Sequence, residues 1–139
     1  MKLNKFMKTS TLFYVIVTIV IGLAIWMVID AGSQPGLGDI KVEFEEKASY
    51  RNENNTGPVQ RIYAVWMAEA DWDEMKRYGE LMPHTKYGNT KVFFFLDKNN
   101  TPTKVFPDEP YYDASLAPYC VAIFEKKAMG EEAFRQLDK

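Results

Sequence analysis

Residues 61–96, RIYAVWMAEADWDEMKRYGELMPHTKYGNTKVFFFL, carry the pattern from which the fold of this chain can be read. Between Arg61 and Met67 an extended segment would place Ile62, Ala64 and Trp66 on one side and Tyr63, Val65 and Met67 on the other. Apolar residues on both sides predict a central strand, covered front and back. Asp71 then offers a helix N-cap with Glu74 three residues on, a capping-box pattern, and Trp72, Met75, Tyr78 and Gly79 mark one helical face. Pro83 cannot continue a helix, so the element is expected to stop before it. Lys91 to Leu96 forms another strand that is apolar on both sides.

Working towards the N-terminus, Arg51 to Gln60 is a polar loop containing Asn54-Asn55-Thr56-Gly57-Pro58, long enough to expect mobility. Before it, Ile40, Val42 and Phe44 alternate with Lys41, Glu43 and Glu45, which is the period of a strand with one wet face. Towards the C-terminus, Asn99-Asn100-Thr101-Pro102 turns the chain and Thr103 to Phe106 is predicted to return as a short strand. After a loop rich in proline and tyrosine (Pro107 to Tyr112), Tyr119 to Phe124 reads as the last strand. Gly130 to Leu137, with Phe134 and Leu137 on one side, is expected to close the chain as a short helix. The expected fold is α+β, with an antiparallel or mixed sheet carrying two short helices on one face; ferredoxin-like packing is one way to arrange it.

Ahead of this domain, Thr9 to Ile29 contains no charged side chain over 21 residues. A helix of that length covers ~30 Å, the thickness of a bilayer's hydrocarbon core. The run predicts a single membrane-spanning helix and divides the chain into a cytoplasmic stub (1–8), the helix (9–30), a flexible tether with three glycines and a proline (31–38), and an exocytoplasmic domain (39–139). A cleaved secretory signal is the rival reading, because Lys2, Lys5 and Lys8 make a basic leader and Ala31-Gly32-Ser33 resembles a cleavage site. The apolar run exceeds the ~7 to 15 residues usual for such a signal. The three lysines precede the run and Asp30 and Asp39 follow it, so the positive-inside bias puts the N-terminus in the cytoplasm and the domain outside the inner, or plasma, membrane. Within the run, Thr11, Thr18 and Gly22 project to a similar side and would let another helix approach closely. No ionisable residue interrupts it, which argues against an ion path through this helix alone.

Composition narrows the functional classes. The formal charge of the chain is −2, but without the three lysines before the apolar run 14 basic residues face 19 acidic ones, leaving −5. Such a balance argues against a nucleic-acid partner and against a polybasic hold on anionic lipid. Cys120 is the only cysteine, so the domain must rest on its apolar core, to which 16 aromatic residues between Phe44 and Phe134 can contribute.

Candidate chemistry is sparse. Cys120 with the sole histidine, His84, could form a nucleophile and base, but a cysteine within an apolar strand is more simply a small hydrophobe. His84, after Pro83 in a loop, is expected to be exposed and idle. Glu69, Asp71, Asp73 and Glu74 could ligate a divalent cation, yet they miss the calcium-loop spacing, and capping explains them. Asn54-Asn55-Thr56 and Asn99-Asn100-Thr101 match the glycosylation pattern. No cofactor, metal or catalytic residue is therefore assigned, and the chain is not expected to be an enzyme.

The two-faced strands suggest an interaction role. Two short helices on one face would leave the other in need of cover, either from the first strand and the loop around Tyr111, Tyr112 and Leu116, or from a second molecule. Trp66, Phe93, Phe95, Tyr111 and Tyr112 are the residues expected on such an interaction face. The expectation is a membrane-anchored protein whose domain binds a protein partner or a second copy, as an accessory or assembly subunit. A sensor domain with a ligand pocket lined by Tyr111, Tyr112, Tyr119, Trp66 and Trp72 is the alternative, and a Cys120-dependent enzyme a distant third.

Overall fold

The computed structural model describes residues 8–53 and 57–137 and resolves into two compact units, one ending at Pro35 and one beginning at Gly36. The first is the helix α1 (Thr9–Ser33), 25 residues with none of its side chains buried. It is long and apolar enough to cross a membrane. Two of its hydroxyls bond back to the helix: Thr18 donates to the Tyr14 carbonyl at 2.9 Å and Ser33 to the Asp30 carbonyl at 2.9 Å. Of the expected tether, Ala31, Gly32 and Ser33 belong to the helix, which ends at Gln34 in an extended conformation. The boundary is set by Pro35, whose ring disfavours the helical region for the residue before it. Leu37–Asp39 adds a short 3-10 turn, held by the Gly36 amide donating to the Asp39 carboxylate at 2.8 Å.

The second unit contains β1 (Phe44–Arg51), β2 (Gln60–Met67), α2 (Trp72–Leu81), β3 (Asn89–Phe95), β4 (Cys120–Lys126) and β5 (Glu132–Gln136). They form one mixed sheet in the order β1-β2-β3-β4-β5, antiparallel throughout except for β2 and β3. Those two strands are parallel because α2 carries the chain back across the sheet between them. They are also direct neighbours, which is not the split arrangement of a ferredoxin-like fold.

The strands begin and end close to the hydrophobic pattern, with three differences. β1 starts only at Phe44, so the alternation of Ile40 and Val42 belongs to an entry segment instead. That segment packs on the helix-side core, and the Lys41 amide donates to the buried Glu74 carboxylate at 2.8 Å. Thr103 to Phe106 is irregular: β3 already has β2 and β4 as neighbours and no ladder position is left for a further strand. Gly130 to Leu137 is not a helix but contains β5. The turn before it places Met129 at φ 67° and Gly130 at φ 82°, reversing the chain onto the edge of β4. Pairing there satisfies a row of backbone groups on β4, which a two-turn helix would have left open. Phe134 then packs into the helix-side cluster and Leu137 into the opposite one, so two residues expected on one helical face serve two sheet faces.

α2 matches expectation in extent and start. The Asp71 carboxylate accepts from the Glu74 amide at 3.1 Å, while the Glu74 carboxylate, rather than closing the box, turns to the Lys41 amide and to Arg77 at 3.0 Å. Asp71→Ala should therefore cost about 1 kcal/mol, read as a lower melting temperature with unchanged secondary structure. Met75, Tyr78, Gly79 and Met82 face the sheet at helical spacing and meet Val65, Met67, Val92, Phe94, Ala122 and Phe124.

Candidate functional site

The sheet face away from α2 is covered by the chain itself. Ile62, Ala64, Phe93, Phe95 and Cys120 from the strands meet Val105 and Tyr112 from the loop between β3 and β4, with Tyr111, Leu116, Ala48 and Tyr50 packed around them. The rings interlock: Phe93 and Tyr112 stand 5.1 Å apart between centroids, Phe95 and Tyr112 5.5 Å, and Phe93 and Tyr111 5.6 Å. The first two are edge-to-face contacts, which add to simple burial. Of the five residues expected on an interaction face, Phe93, Phe95 and Tyr112 are buried within the unit and offer no surface to a partner. Trp66 and Tyr111 remain half-exposed. The indole N–H of Trp66 donates to the Leu96 carbonyl at 3.0 Å and the Lys98 ammonium lies 4.7 Å from its ring centroid.

The same observation bears on a ligand pocket. Of the rings expected to line one, Tyr111 and Tyr112 pack against Phe93 and Phe95, Trp72 packs on the helix-side core, and Trp66 and Tyr119 keep exposed surface; the concavity between Pro102, Phe106 and Leu116 holds about 230 Å³. That is below the ~300 to 1,000 Å³ usual for small-molecule sites.

One end of the aromatic loop is fixed by a polar cluster that residue patterns did not reveal. Tyr111 sits at φ 71°, a conformation costly for a bulky residue, and is held there because its amide donates to the Asp108 carbonyl at 2.8 Å and its carbonyl accepts from the Phe106 amide at 2.6 Å. Beneath its ring, 4.8 Å from the centroid, lies the Lys91 ammonium, which pairs with Glu125 at 3.3 Å. Asn89 donates to the same Glu125 oxygen at 3.3 Å, and the Gln60 side-chain amide donates to the Pro107 carbonyl at 2.7 Å. Cross-strand register explains the meeting of Lys91 and Glu125, which are direct partners on β3 and β4.

Burial acts to raise the Glu125 pKa, but hydrogen bonding from Asn89 and the charge of Lys91 outweigh it and hold the carboxyl below its usual 4.5. For Lys91, burial pulls down while Tyr111 and Glu125 prevail and leave it above the usual 10.5. The sign follows for each. A depressed carboxyl stabilises the fold above the unfolded value and loses that contribution as pH falls through the folded one; a raised ammonium contributes below 10.5 and is lost as pH rises through its folded value. Glu125→Gln should thus lower the melting temperature at neutral pH and flatten its fall on acidification below about pH 4.5, as thermal melts across pH would show.

The remaining candidates are placed as follows. Cys120 is buried at the start of β4, its thiol directed to the Ala122 carbonyl at 3.5 Å and beside the Tyr112 hydroxyl, whose pKa is raised by burial and then by the thiol. His84 is not near it and is not idle: its Nδ1 meets the Thr90 hydroxyl at 3.2 Å and its Nε2 the Lys127 carbonyl at 3.1 Å, linking the loop after α2 to the turn after β4. Glu69, Asp71, Asp73 and Glu74 do not converge, and among the described residues no group of three metal-ligating side chains does. The Asn99-Asn100-Thr101 turn is organised by Asp97, which accepts from the Asn99 amide at 3.0 Å and the Asn100 side chain at 2.7 Å; Asn54-Asn55-Thr56 lies outside the described residues. On α1, Thr11 and Thr18 line a shallow concavity with Tyr14, Val15 and Ile19, and Gly22 has open space around its Cα. Comparison with family models, curated proteins and solved structures yields no match to this chain.

Proposed function

We propose that this protein is anchored by α1 in the inner, or plasma, membrane with its N-terminus in the cytoplasm, and that its exocytoplasmic α+β domain binds a protein partner or a second copy as an accessory subunit of a membrane complex. The observation that carries this reading is an apolar helix with no buried side chain, joined to a domain that builds its own core on both sheet faces. The apolar surface of the helix suits lipid or another helix. Thr11, Thr18 and Gly22 are the positions at which a second helix would approach. Retention of the helix is supported by the length of its charge-free run, 21 residues, against the ~7 to 15 usual for a cleaved signal.

Solubilising the intact protein from native membranes in mild detergent should yield a dimer or a stoichiometric complex, with an intact mass that includes α1. A monodisperse monomer at micromolar concentration would count decisively against the binding role, and a mass lacking α1 against the anchor. Tyr111 and Tyr112 of the aromatic loop, on which a ligand pocket relied, pack against Phe93 and Phe95, so the sensor reading has less support.

A further inference from the structure

At the end of the sheet where β2 and β3 begin, features unneeded for stability gather in one place. Arg51 and Arg61 stand directly opposite each other across β1 and β2, and like charges so placed repel. Neither forms an ion pair among the described residues. Arg61 instead donates to the Thr85 hydroxyl at 3.2 Å, which ties it to the loop bearing Lys86 and Tyr87. The Lys86 carbonyl accepts from the Met129 amide at 2.6 Å and so brings the turn between β4 and β5 alongside.

Two large side chains stand out into solvent here, Tyr87 at 64% exposure and Met129 at 68%. Met129 does so from a left-handed backbone conformation that a glycine would adopt without strain. Lys127, exposed in the same turn, adds a fourth cation to Arg51, Arg61 and Lys86, against Glu53 just after β1 and Glu131 beside the turn, while Glu132 nearby is paired with Lys126. The rest of the domain has the opposite balance, with Asp71, Asp73 and Glu74 gathered at the far end of α2. Repulsion between arginines and a strained methionine oppose folding, and the exposed Tyr87 ring meets only the Lys86 ammonium, 5.4 Å from its centroid, among the contacts seen here. Tyrosine, methionine and arginine are also the residue types enriched at the centres of protein interfaces.

We propose that this end of the sheet, centred on Tyr87 and Met129, docks an acidic face of a partner protein. The proposal rests on the binding role put forward above and gives it a location and a charge. The cationic rim would steer the partner and the two apolar side chains would be desolvated on contact. A net acidic domain is poorly suited to an anionic bilayer or a nucleic acid, which leaves protein as the occupant.

The test uses the full chain in native membranes with a photo-crosslinking benzoylphenylalanine at position 87, or at Asp73 on the far end of α2 as a control. The expected result is a protein adduct from position 87, mapping to a peptide rich in Asp and Glu, with its yield cut about tenfold by combining Arg51→Glu and Lys86→Glu. Arg51→Glu alone should hold or raise the melting temperature, since it replaces repulsion by attraction to Arg61, so a weaker adduct from that single variant would not reflect misfolding. A lipid adduct, or a protein adduct insensitive to charge reversal, would overturn the proposal. Adducts from position 73 alone, or none from either position in a preparation that remains a dimer or stoichiometric complex, would overturn this surface while keeping the binding role.

Discussion

Phe95→Ala is expected to destabilise the domain by about 3 to 5 kcal/mol, which is a large share of the total stability of a domain of this size. Phe95 is fully buried, with its ring set edge-on against Tyr112, and both its strand neighbours lie inside the sheet. Truncation would leave a cavity roofed by a loop rather than by a helix. Tyr112 would lose one of its two aromatic partners, and the thiol of Cys120 would lose cover in the same cluster. Thermal unfolding followed by near-ultraviolet circular dichroism should show a drop of more than about 10 °C. The measurement also separates two roles for this face. A residue serving only a partner would leave the melting temperature of the isolated protein unchanged when truncated, and that outcome would mean the aromatic loop does not close over the sheet.

The second large effect is expected at Gly79. Glycine within a helix normally costs stability, and alanine would gain about 1 kcal/mol from propensity alone. Here the sign should reverse, because a Cβ at position 79 would overlap the ring of Phe124, coming within 2.8 Å of its Cδ2 and closer still to its Cγ and Cδ1. Phe124 is itself buried in the middle of the helix-side core, so its ring has nowhere to retreat and α2 would have to lift away from β4. Overpacking of this kind costs about 1 to 3 kcal/mol, and Gly79→Ala should melt below the parent despite its better helix former. Phe124→Leu in the same background should recover part of the loss by clearing the clash, a coupling that a double-mutant cycle measures. An increase in melting temperature for Gly79→Ala alone would show that α2 does not press on the sheet as described.

The elements most legible in the sequence were those whose side chains carry a strong period. β2 and β3 are apolar on both sides because they are central, and α2 shows its N-cap at Asp71 and its sheet-facing residues at helical spacing. β5 was not legible, since Phe134 and Leu137 are compatible with a helix in a segment too short for periodicity to discriminate. What makes it a strand is the open edge of β4, a property of another part of the chain. Likewise, nothing local to Thr103–Phe106 forbids a strand; the neighbours of β3 were already taken. The candidate surface was the least legible part of all. Arg51 and Arg61 come together through register, and Lys86, Tyr87 and Met129 through one backbone hydrogen bond, across separations in sequence that no motif spans.

The sequence by itself determined that a charge-free helix long enough for a bilayer precedes an acidic α+β domain, because length, charge and hydrophobic period are properties of contiguous residues. Tertiary structure alone decided how the second sheet face is covered, which residues remain outside, and where positive charge collects. Those depend on strand order and register, which bring distant segments side by side. Phe93, Phe95 and Tyr112, among the residues expected on an interaction face, lie in the core because the loop between β3 and β4 packs over that face of the sheet. Tyr87 and Met129, unremarked in the linear pattern, were left at the surface.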